Sequence, residues 1–447
     1  MTEVEKKGIA THVKKLRNDS YSFILAGEGG KYHVISKDRV DEGNLAVING
    51  VESNGSIFAK SVSSRFINED EIREMFKKAE ESVHLNDIKP LVDDPVMDEL
   101  WPHIKDMAKK IHVASMFNRQ TIMRFHGDAD GVTSAICISS IISARRIQQN
   151  LVTYTPRDAL GDIAVLKDTF MPLVIFVDFG SGEESIPGIE LIRAAGIDLY
   201  IIDHHPPSNK VKELSFAINP WFISNNPEVS KFTAGYLSYE IARLLGHDNR
   251  WILGASISGD KSNILPIDER DKNNALVIDY LTTFSAYGNN IDFYTSVLND
   301  RDLYNTILNQ AKESLELVRL QAEKLAKVKR IGELEIYTLS VDRVVKKTDF
   351  PSRGKIASQL YEVVKHKNAL VLAYSDYGLI FRVTDGAFSK GIKANEIISK
   401  LKDLYPNIIV GGGGHSKAAS IRFLKGNQQF IMEEVMRIVR SIMESSP

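Results

Sequence analysis

Carboxylates and imidazoles stand at the ends of four apolar runs of this sequence. The runs are "TIMRFH", "PLVIFV", "DLYII" and "WILGASISG". The polar residues that end or follow them are His126, Asp128, Asp130, Asp178, Asp203, His204, His205 and Asp260. Aspartate and histidine are residue types that bind divalent cations through oxygen and nitrogen. The spacing therefore predicts a metal site, provided that the fold brings the four ends together.

Each of these motifs also has an ordinary structural explanation. Asp128 and Asp130 are typical of helix caps and turns, and Asp260 can begin a helix before Lys261. A strand-end aspartate such as Asp178 is often a turn residue. Together they favour a different interpretation, because carboxylates gathered at one place repel each other and raise each other's pKa. Bound cations would remove that cost.

The types of donor narrow the choice of metal. All are oxygens and nitrogens, and the single cysteine, Cys137, lies apart from the motifs. This set suits Mn²⁺ or Mg²⁺, with some tolerance for Co²⁺ or Zn²⁺. There are too many donors for one ion with open positions, so two ions bridged by one carboxylate fit better. Such a pair clamps an in-line displacement at phosphorus. The residues alone predict a two-metal phosphoester or phosphoanhydride hydrolase.

A run of glycines forms a second candidate site, in "NIIVGGGGHSKAAS" (407–420). The pattern predicts a strand, then Gly411, Gly412, Gly413 and Gly414, then His415 and a helix. Glycines let a ligand approach the backbone closely, and amides at a helix N-terminus attract phosphate. A phosphate-binding role is favoured over a flexible loop. The run is not a Walker loop, since no Gly-Lys-Ser or Gly-Lys-Thr follows.

The elements before these motifs predict a separate β-rich part. Residues 20–66 contain short strand-like runs separated by Asp-Glu-Gly and Ser-Asn-Gly. This is typical of a small β-barrel over residues 1–70, either of the oligonucleotide-binding (OB) type or a cap without a ligand. Helices are predicted over 68–83 and 95–117, and residues 71–118 are predicted to form a helical linker.

The rest of the chain alternates between strands and helices. Helix-like segments such as "GVTSAICISSIISARRIQ" separate the four apolar runs, which are read as strands. Near-continuous apolar strands predict a parallel sheet covered on both faces, here over residues 119–304. A connecting helix is predicted at 305–330 and a smaller α/β domain at 331–447. The predicted fold class is therefore α/β.

Charge and composition limit the partners. Residues 331–425 carry 15 Lys and Arg against 9 Asp and Glu, whereas the whole chain has a net charge of −2. A basic second domain can bind a polyanion locally, although solvated lysines explain the charge equally well. The sequence has neither an apolar run long enough for a bilayer nor a signal-peptide core. A cytoplasmic protein without membrane contact is expected.

The motifs resemble those of the DHH phosphoesterases. "HGDADG", "VDFG", "DHH" and "SGD" occur in the order and spacing of that family's four motifs. "GGGGH" is similar to the signature of the DHH-associated domain, so the likeness extends over about residues 121–432. "INP" at 218–220 and "TAG" at 233–235 also resemble family features. The resemblance implies two divalent cations, with Mn²⁺ preferred and Mg²⁺ or Co²⁺ as alternatives.

Within the family, the chain is most similar to archaeal RecJ-like exonucleases. The His-x-Asp-x-Asp spacing at 126–130 and the N-terminal barrel carry this likeness. It implies a metal-dependent exonuclease on single-stranded DNA or RNA, in replication or repair. Two alternatives stay open: a phosphodiesterase for short oligonucleotides or cyclic dinucleotides, and a scaffold subunit of a helicase or replication complex.

The resemblance also implies roles for single residues. One ion would take His126, Asp128 and Asp178, and the other Asp130, Asp178, His204 and Asp260. His205 would face the substrate phosphate, and Asp203 would orient its neighbours by hydrogen bonds.

The resemblance also implies that Arg382, in "LIFRVT", contacts the substrate. Two other positions in the predicted second domain depart from the family pattern. The family has serine where Thr384 stands here, and glycine where Ser420 stands. The metal motifs are intact, so these departures concern the substrate site alone.

Overall fold

The computed structural model describes residues 2–27, 30–284, 291–345 and 350–445. These residues form two compact units. The first extends to Ile278 and includes residues 291–296, and the second comprises residues 279–284 and those from Val297 onward. Both contain sheets and helices, which confirms the predicted α/β class. No helix in the described ranges is both long and apolar enough to cross a membrane.

The first unit begins with a closed five-stranded barrel. Its strands are β1 (Thr2–Lys15), β2 (Tyr21–Gly27), β3 (Gly30–Ser36), β4 (Leu45–Ser53) and β5 (Ser56–Arg65). They follow the order β1-β2-β3-β5-β4, and only β3 and β5 pair in parallel. Phe23, Leu25 and Val34 fill its interior. The predicted barrel is confirmed, and its OB type stays a prediction. The sequence does not predict β1, because charged residues interrupt its apolar pattern.

Two helices follow the barrel, as the sequence predicts. Helix α1 (Glu69–Ser82) begins at a capping box in which Asn68 and Glu71 exchange hydrogen bonds. Helix α2 (Pro95–Met116) begins at Asp94, whose side chain accepts a hydrogen bond from the amide of Val96. Both helix boundaries lie within one residue of the predicted ones.

A five-stranded parallel sheet is the centre of the first unit. Its strands are β6 (Thr121–His126), β7 (Arg145–Gln149), β8 (Leu173–Val177), β9 (Asp198–Ile202) and β10 (Phe216–Ile218). Its helices are α3 (Ala129–Ser139), α4 (Pro156–Leu166), α5 (Ile186–Ala194), α6 (Val211–Leu214), α7 (Ala234–Leu244) and α8 (Arg250–Gly259). The spatial order is β10-β9-β8-β6-β7. The chain therefore changes direction across the sheet between β6 and β8, where open α/β sheets bind ligands.

Two of the predicted elements are different in the structure. "WILGASISG" forms most of α8 rather than a strand, and "RRIQ" (145–148) belongs to β7 rather than to a helix that continues from α3. A short buried apolar run does not reveal its own period. In α8, small residues permit close helix packing, since a Cβ at Gly259 would lie 2.9 Å from the Cβ of Ala129.

The second unit is built on a six-stranded mixed sheet. Its strands are β11 (Lys327–Ile331), β12 (Leu334–Ser340), β13 (Ala369–Ser375), β14 (Gly378–Val383), β15 (Ile409–Gly414) and β16 (Ala418–Phe423). Their order is β11-β12-β13-β14-β16-β15, and only β12 and β13 pair in parallel.

Helices α9 (Glu269–Phe284) and α10 (Ile291–Asn299) precede this sheet in the chain, and most of their residues belong to the first unit. The helices of the second unit are α11 (Arg301–Leu325), α12 (Val341–Val344), α13 (Arg353–Val364), α14 (Asp385–Ser389), α15 (Ala394–Leu404) and α16 (Gln428–Ser445). The helix predicted at 305–330 is α11, which ends earlier because residues 327–331 pair with β12. The predicted division into five domains stays a prediction.

The glycine run does not connect a strand to a helix. Gly411, Gly412, Gly413 and Gly414 lie within β15, and His415 begins the turn to β16. The amide and carbonyl of His415 both hydrogen-bond to Ala418, which closes a hairpin. The sequence predicts a loop before a helix here, and not a strand, because glycine has a low strand propensity. The argument from a helix N-terminus therefore does not apply here.

Candidate metal centre

One group of ligand atoms forms where β6 and β8 end. His126 is the last residue of β6, and Asp128 caps α3 by accepting a hydrogen bond from the amide of Gly131 at 3.0 Å. His126 Nδ1 lies 2.8 Å from Asp128 Oδ2 and 3.4 Å from Asp178 Oδ2. Asp178 follows β8 with φ +65°, a left-handed conformation that is uncommon outside glycine. The ligand atoms of these three side chains lie within 4.8 Å of one another, close enough to hold one metal ion.

A second group forms around His204, just beyond β9. Its Nε2 atom lies 2.9 Å from Asp260 Oδ2, 3.4 Å from Asp178 Oδ1 and 3.5 Å from Asp130 Oδ2. Asp130, His204 and Asp260 offer ligand atoms within 4.8 Å of one another. Asp178 directs one oxygen toward His126 and the other toward His204. The structure thus brings together all six of the predicted ligands, with Asp178 between the groups.

The amino end of α7 holds Asp130 in place. Its carboxylate accepts hydrogen bonds from the amide of Ala234 at 2.9 Å, the amide of Gly235 at 2.7 Å and the hydroxyl of Ser256 at 2.6 Å. A Cβ at Gly235 would lie 2.5 Å from Ser256 and 2.8 Å from Asp130 Oδ1. Only glycine allows this approach, which gives "TAG" a structural role. A helix N-terminus favours such a negative charge.

Asp260 has the opposite environment. It is the C-cap of α8, rather than the first residue of a helix. A carboxylate beside the last carbonyls of a helix is electrostatically unfavourable, because the macrodipole is negative there. The position is therefore easier to explain if Asp260 faces a cation.

Asp203 organises the turn that carries both histidines. Its carboxylate accepts hydrogen bonds from the amides of Ser181 at 3.1 Å, His204 at 2.8 Å and His205 at 3.2 Å. It also contacts His205 Nδ1 at 2.8 Å. Burial raises the pKa of Asp203, but the His205 imidazole and these hydrogen bonds lower it well below its usual range. Asp203 is thus a buried anion that positions its neighbours.

The charges at the centre oppose one another. Burial, together with the Asp178 and Asp260 carboxylates, raises the pKa of Asp130 well above its ordinary value. Burial and Asp128 raise the pKa of Asp178 as well. Burial lowers the pKa of His204, but Asp260 and its other carboxylate neighbours raise it well above the ordinary value. These shifts are those of anions crowded at one place, which a divalent cation relieves.

Several ligand atoms are buried without a hydrogen bond. Among the described residues, no contact of His126 Nδ1, His204 Nε2 or either carboxylate oxygen of Asp178 has the geometry of a hydrogen bond. Buried polar atoms normally have partners, so a group of orphans at one place needs an explanation. Oxygen and imidazole donors around a shared carboxylate fit two divalent cations of the Mn²⁺ or Mg²⁺ kind.

Three serines that support the site cannot be recognised from the sequence. The carbonyl of Ser230 lies 2.9 Å from His204 Nδ1 and thereby directs the other ring nitrogen toward the carboxylates. Ser256 and Ser181 hold Asp130 and Asp203. None of these serines lies in a motif, and two of the three contacts use backbone atoms, which leave no trace in a sequence.

The predicted substrate residues lie in the second unit, on β14 and on β15 with the turn that follows it. Arg382 donates hydrogen bonds to Ser358 Oγ and to the carbonyls of Gly354 and Phe381. Within the described ranges it forms no ion pair with a carboxylate, and burial lowers its pKa. Arg382 pairs with Ala418, and Ser420 pairs with Gly413, so these residues share one sheet face.

Thr384 and His415 complete the predicted set. Thr384 is fully buried, and its hydroxyl caps α14 and bonds to the backbone of Ala369. It therefore serves the fold rather than a ligand, which accounts for one departure from the family pattern. His415 and Gly414 are exposed at the hairpin end of β15.

Comparison with known proteins agrees with this geometry. Residues 121–250 match the model of the DHH family, N-terminal domain. The uncharacterized protein MJ1198 of Methanocaldococcus jannaschii is 25% identical over an alignment of 455 positions, and the match covers 83% of this chain. The chain spans 59% of the length of that relative.

Solved structures extend the likeness beyond this segment. The DHH domain of a member of the s1p family of ribosomal proteins is similar with a TM-score of 0.72 and 26% identity. The match covers 83% of this chain and 98% of that one. RecJ of Thermus thermophilus, in complex with Mn²⁺, is 12% identical with a TM-score of 0.51. That match covers 76% of this chain and 55% of RecJ, and it shows a common fold.

Proposed function

We propose that this chain, in which residues 121–250 form a DHH-family domain, is a metal-dependent exonuclease. It would hydrolyse phosphodiester bonds of single-stranded DNA or RNA by a two-metal mechanism, in replication or repair. A helicase or another replication-complex protein would be its partner. DHH-family members are phosphoesterases, and the nuclease activity is the finer step that we add.

One observation carries the proposal: the two groups of ligand atoms share Asp178. His126 and His204 lie 3.4 Å from opposite oxygens of this one carboxylate. Asp178 is 1% exposed and its oxygens have no hydrogen-bond partner among the described residues. A buried bridging carboxylate between two ligand sets is the arrangement that two-metal hydrolases use. We assign Asp178 this role.

The protein's own groups would then divide the work. When bound, two divalent cations activate water and offset the charge of the phosphodiester. Asp203 holds His205 Nδ1, so Nε2 is the ring nitrogen that can contact a phosphate oxygen. Burial lowers the pKa of His205, but Asp203 raises it above its ordinary value, which favours the protonated imidazole. A cationic His205 would stabilise the developing negative charge.

The second unit offers a surface for the nucleic acid. Arg382, Ala418 and Ser420 lie on one face of β14 and β16, and Gly413 of β15 extends that face. Gly413 and Ser420 are exposed on this face, and the buried guanidinium of Arg382 supplies a cation without a carboxylate partner in the described ranges. We propose that this face binds a sugar-phosphate segment through Arg382 and the glycine backbone.

A chain-length series tests the proposed activity. Oligonucleotides of DNA and RNA, labelled at either the 5′ or the 3′ end, are incubated with the protein and Mn²⁺ or Mg²⁺. We expect mononucleotides to be released successively from one end of single strands. Preference for two-residue substrates would favour the short-oligonucleotide alternative instead. Without hydrolysis of any substrate, the exonuclease proposal fails, and the scaffold alternative gains support.

Matched aspartate variants separate catalysis from folding. Asp178→Asn keeps the shape of the side chain but removes the bridging charge, and it should reduce kcat by at least about 100-fold. Asp87→Asn changes an exposed aspartate of the same unit and should leave kcat unchanged. Equal activity in both variants would contradict the role of Asp178.

Two neighbouring glycines test the proposed nucleic-acid surface. Gly414 has φ +133°, and a Cβ there would lie 2.5 Å from the carbonyl of Ala418, so Gly414→Ala should cost about 1–3 kcal/mol of stability. A Cβ at Gly413 would meet no described atom within 4 Å. Gly413→Ala should therefore fold normally but raise KM for the oligonucleotide. An unchanged KM in Gly413→Ala would contradict this surface.

A further inference from the structure

Two side chains beyond the end of β10 hold the backbone of the turn that carries His204 and His205. We propose that Asn219 and Trp221 are positioning residues that assign different tasks to the two histidines. Trp221 would serve metal binding through His204, and Asn219 would serve catalysis through His205. This inference rests on the proposed function, because it concerns the same site.

Each residue donates a hydrogen bond to one histidine carbonyl. Trp221 Nε1 donates to the carbonyl of His204 at 2.9 Å. Asn219 Nδ2 donates to the carbonyl of His205 at 2.9 Å. Asn219 is fully buried, and Trp221 is half-buried. The two contacts fix two consecutive peptide planes, which determine the directions of both imidazoles.

The position of these donors follows from strand pairing. β10 pairs in parallel with β9, and Ile218 lies opposite Ile202. The amide of Asp203 donates to the carbonyl of Ile218 at 3.1 Å, so the two chains leave the sheet side by side. Residues that follow β10 therefore reach the turn that follows β9. The Asn-Pro-Trp sequence occupies this place.

Asn219 also builds the local turn that presents Trp221. Its Oδ1 atom accepts a hydrogen bond from the amide of Trp221 at 3.0 Å and begins a short 3₁₀ turn over Pro220–Phe222. One side chain thus uses its oxygen to hold the tryptophan and its nitrogen to hold His205. Asn219 and Trp221 form a single unit with two contacts to the histidine turn.

Three contacts hold His204, and Trp221 provides one of them. Its amide donates to Asp203, its carbonyl accepts from Trp221, and its Nδ1 lies 2.9 Å from the carbonyl of Ser230. Only Nε2 faces the carboxylates. The imidazole of His205 lies 4.7 Å from that of His204, at an interplanar angle of 65°. Loosening the His204 carbonyl should therefore disturb the ligand atom more than it disturbs His205.

Trp221→Phe tests the first half of this division. The variant keeps an aromatic ring and removes only the N–H donor. We expect its Mn²⁺ dissociation constant, measured by calorimetric titration, to rise about 10-fold, since groups that orient metal ligands have effects of this size. At saturating Mn²⁺, kcat should stay within about 2-fold of wild type. Trp251→Phe, which changes an exposed residue of α8, is the control and should bind Mn²⁺ normally.

Asn219→Ser tests the second half. Serine can still accept the amide hydrogen bond from Trp221 but does not reach the His205 carbonyl. We expect kcat to fall about 10-fold while the Mn²⁺ dissociation constant stays within about 3-fold of wild type. If Trp221→Phe lowers kcat without changing Mn²⁺ affinity, or Asn219→Ser does the reverse, the proposed division is wrong.

A spectroscopic readout is independent of activity. In ¹⁵N-tryptophan-labelled protein, the indole signal that disappears in Trp221→Phe should exchange slowly with solvent and broaden when Mn²⁺ is added. Fast exchange and no broadening would refute the role of Trp221, even in an active nuclease. If wild type binds Mn²⁺ but cleaves no nucleic acid, the proposed nuclease function fails and the Trp221 role stands. If wild type binds no Mn²⁺, both fail.

Discussion

Adjacent histidines with unlike surroundings are the main feature at the residue scale. The side chain of His204 is 8% exposed and its Nε2 faces three carboxylates, whereas that of His205 is 39% exposed and is held by Asp203. Successive side chains of an extended chain point in different directions. The same geometry that separates the two rings also separates their environments, so one is suited to metal and the other to substrate.

The first prediction compares the two histidine variants. His204→Ala should raise the Mn²⁺ dissociation constant by at least about 10-fold, because it removes a ligand that is in reach of three carboxylates. His205→Ala should keep Mn²⁺ affinity but lower kcat by about 10²–10³-fold, because it removes the protonated imidazole that we propose to stabilise the developing negative charge. Calorimetric titration and steady-state kinetics measure the two effects.

An equal loss of Mn²⁺ binding in both variants would contradict this assignment. His205 would then be a ligand as well, which its distance of 3.8 Å from Asp178 allows. The ligand atoms of Asp178, His204 and His205 also lie close enough together to hold one metal ion. The experiment therefore decides between two arrangements that the geometry permits.

A second prediction concerns pH and Tyr239, in the middle of α7. Burial, together with a hydrogen bond to Asp248, raises the pKa of Tyr239 to about 12. An unfolded tyrosine has a pKa of about 10. The stability that neutral Tyr239 contributes is thus fully present below pH 10 and is lost as the pH rises through 12.

Tyr239→Phe makes this measurable. At pH 7 it should cost about 1 kcal/mol, the usual net value of one hydrogen bond. Urea denaturation at several pH values should show the gap between variant and wild type narrowing between about pH 10 and 12. A gap that stays constant over that range would show that the titration of Tyr239 does not contribute.

At the scale of elements, helix ends and strand ends build the centre together. β6, β8 and β9 are adjacent, so their carboxyl ends supply His126, Asp178 and His204 at one edge. α7 presents its amides to Asp130, and α8 ends at Asp260. Helix α7 approaches both Ser256 of α8 and Asp130 closely at Gly235, where an added Cβ would lie within 3 Å of each.

The third prediction tests that contact. Gly235→Ala should cost about 1–3 kcal/mol of stability, because the added methyl overlaps with Ser256. It should also weaken Mn²⁺ binding by at least about 10-fold, because Asp130 must move. Thermal denaturation and calorimetric titration measure the two effects.

Gly161→Ala is the matched control in the same unit. Gly161 is an exposed residue of α4, and a Cβ there would meet no described atom within 4 Å. Alanine should stabilise that helix by about 0.5–1 kcal/mol and leave Mn²⁺ affinity unchanged. A Gly235→Ala protein that behaves like this control would disprove the contact argument.

At the scale of the whole molecule, the chain has two compact units, to which we propose different tasks. All six proposed metal ligands belong to the first unit, and Arg382 and the glycine run belong to the second. Metal binding should therefore stabilise one unit selectively. The proposed division of tasks can be tested without knowing the substrate.

The fourth prediction uses this separation. Free Mn²⁺ at about 100 times its dissociation constant should stabilise the first unit by about 2.7 kcal/mol and raise its melting temperature by about 5 °C. Scanning calorimetry of protein with Mn²⁺ and with EDTA should show the shift in one transition only. Asp178→Asn should abolish it. A shift of both transitions would show that the units unfold together.

Residue types and spacing are enough to predict the α/β class, the β-barrel and a metal site, whereas the choice of six residues as its ligands comes from the resemblance to the DHH phosphoesterases. Three of the four motifs follow parallel strands and point to one edge of the sheet because parallel strands end together, whereas Asp260 follows helix α8. The helical nature of α8 was not predictable, because a short apolar run with small residues suits a strand and a buried helix equally. The glycine hairpin was missed for a related reason, since glycine has no side-chain period to read.

What the sequence by itself determined is the chemistry of the donors, because side-chain type alone decides that carboxylates and imidazoles suit divalent cations. What only the tertiary structure decided is how the donors are arranged. Asp178 lies between two groups, α7 amides hold Asp130, and Asn219 and Trp221 hold the histidine turn. Most of the supporting contacts join a side chain to the backbone of a distant segment. Backbone atoms are the same in every residue, so only folding can specify them.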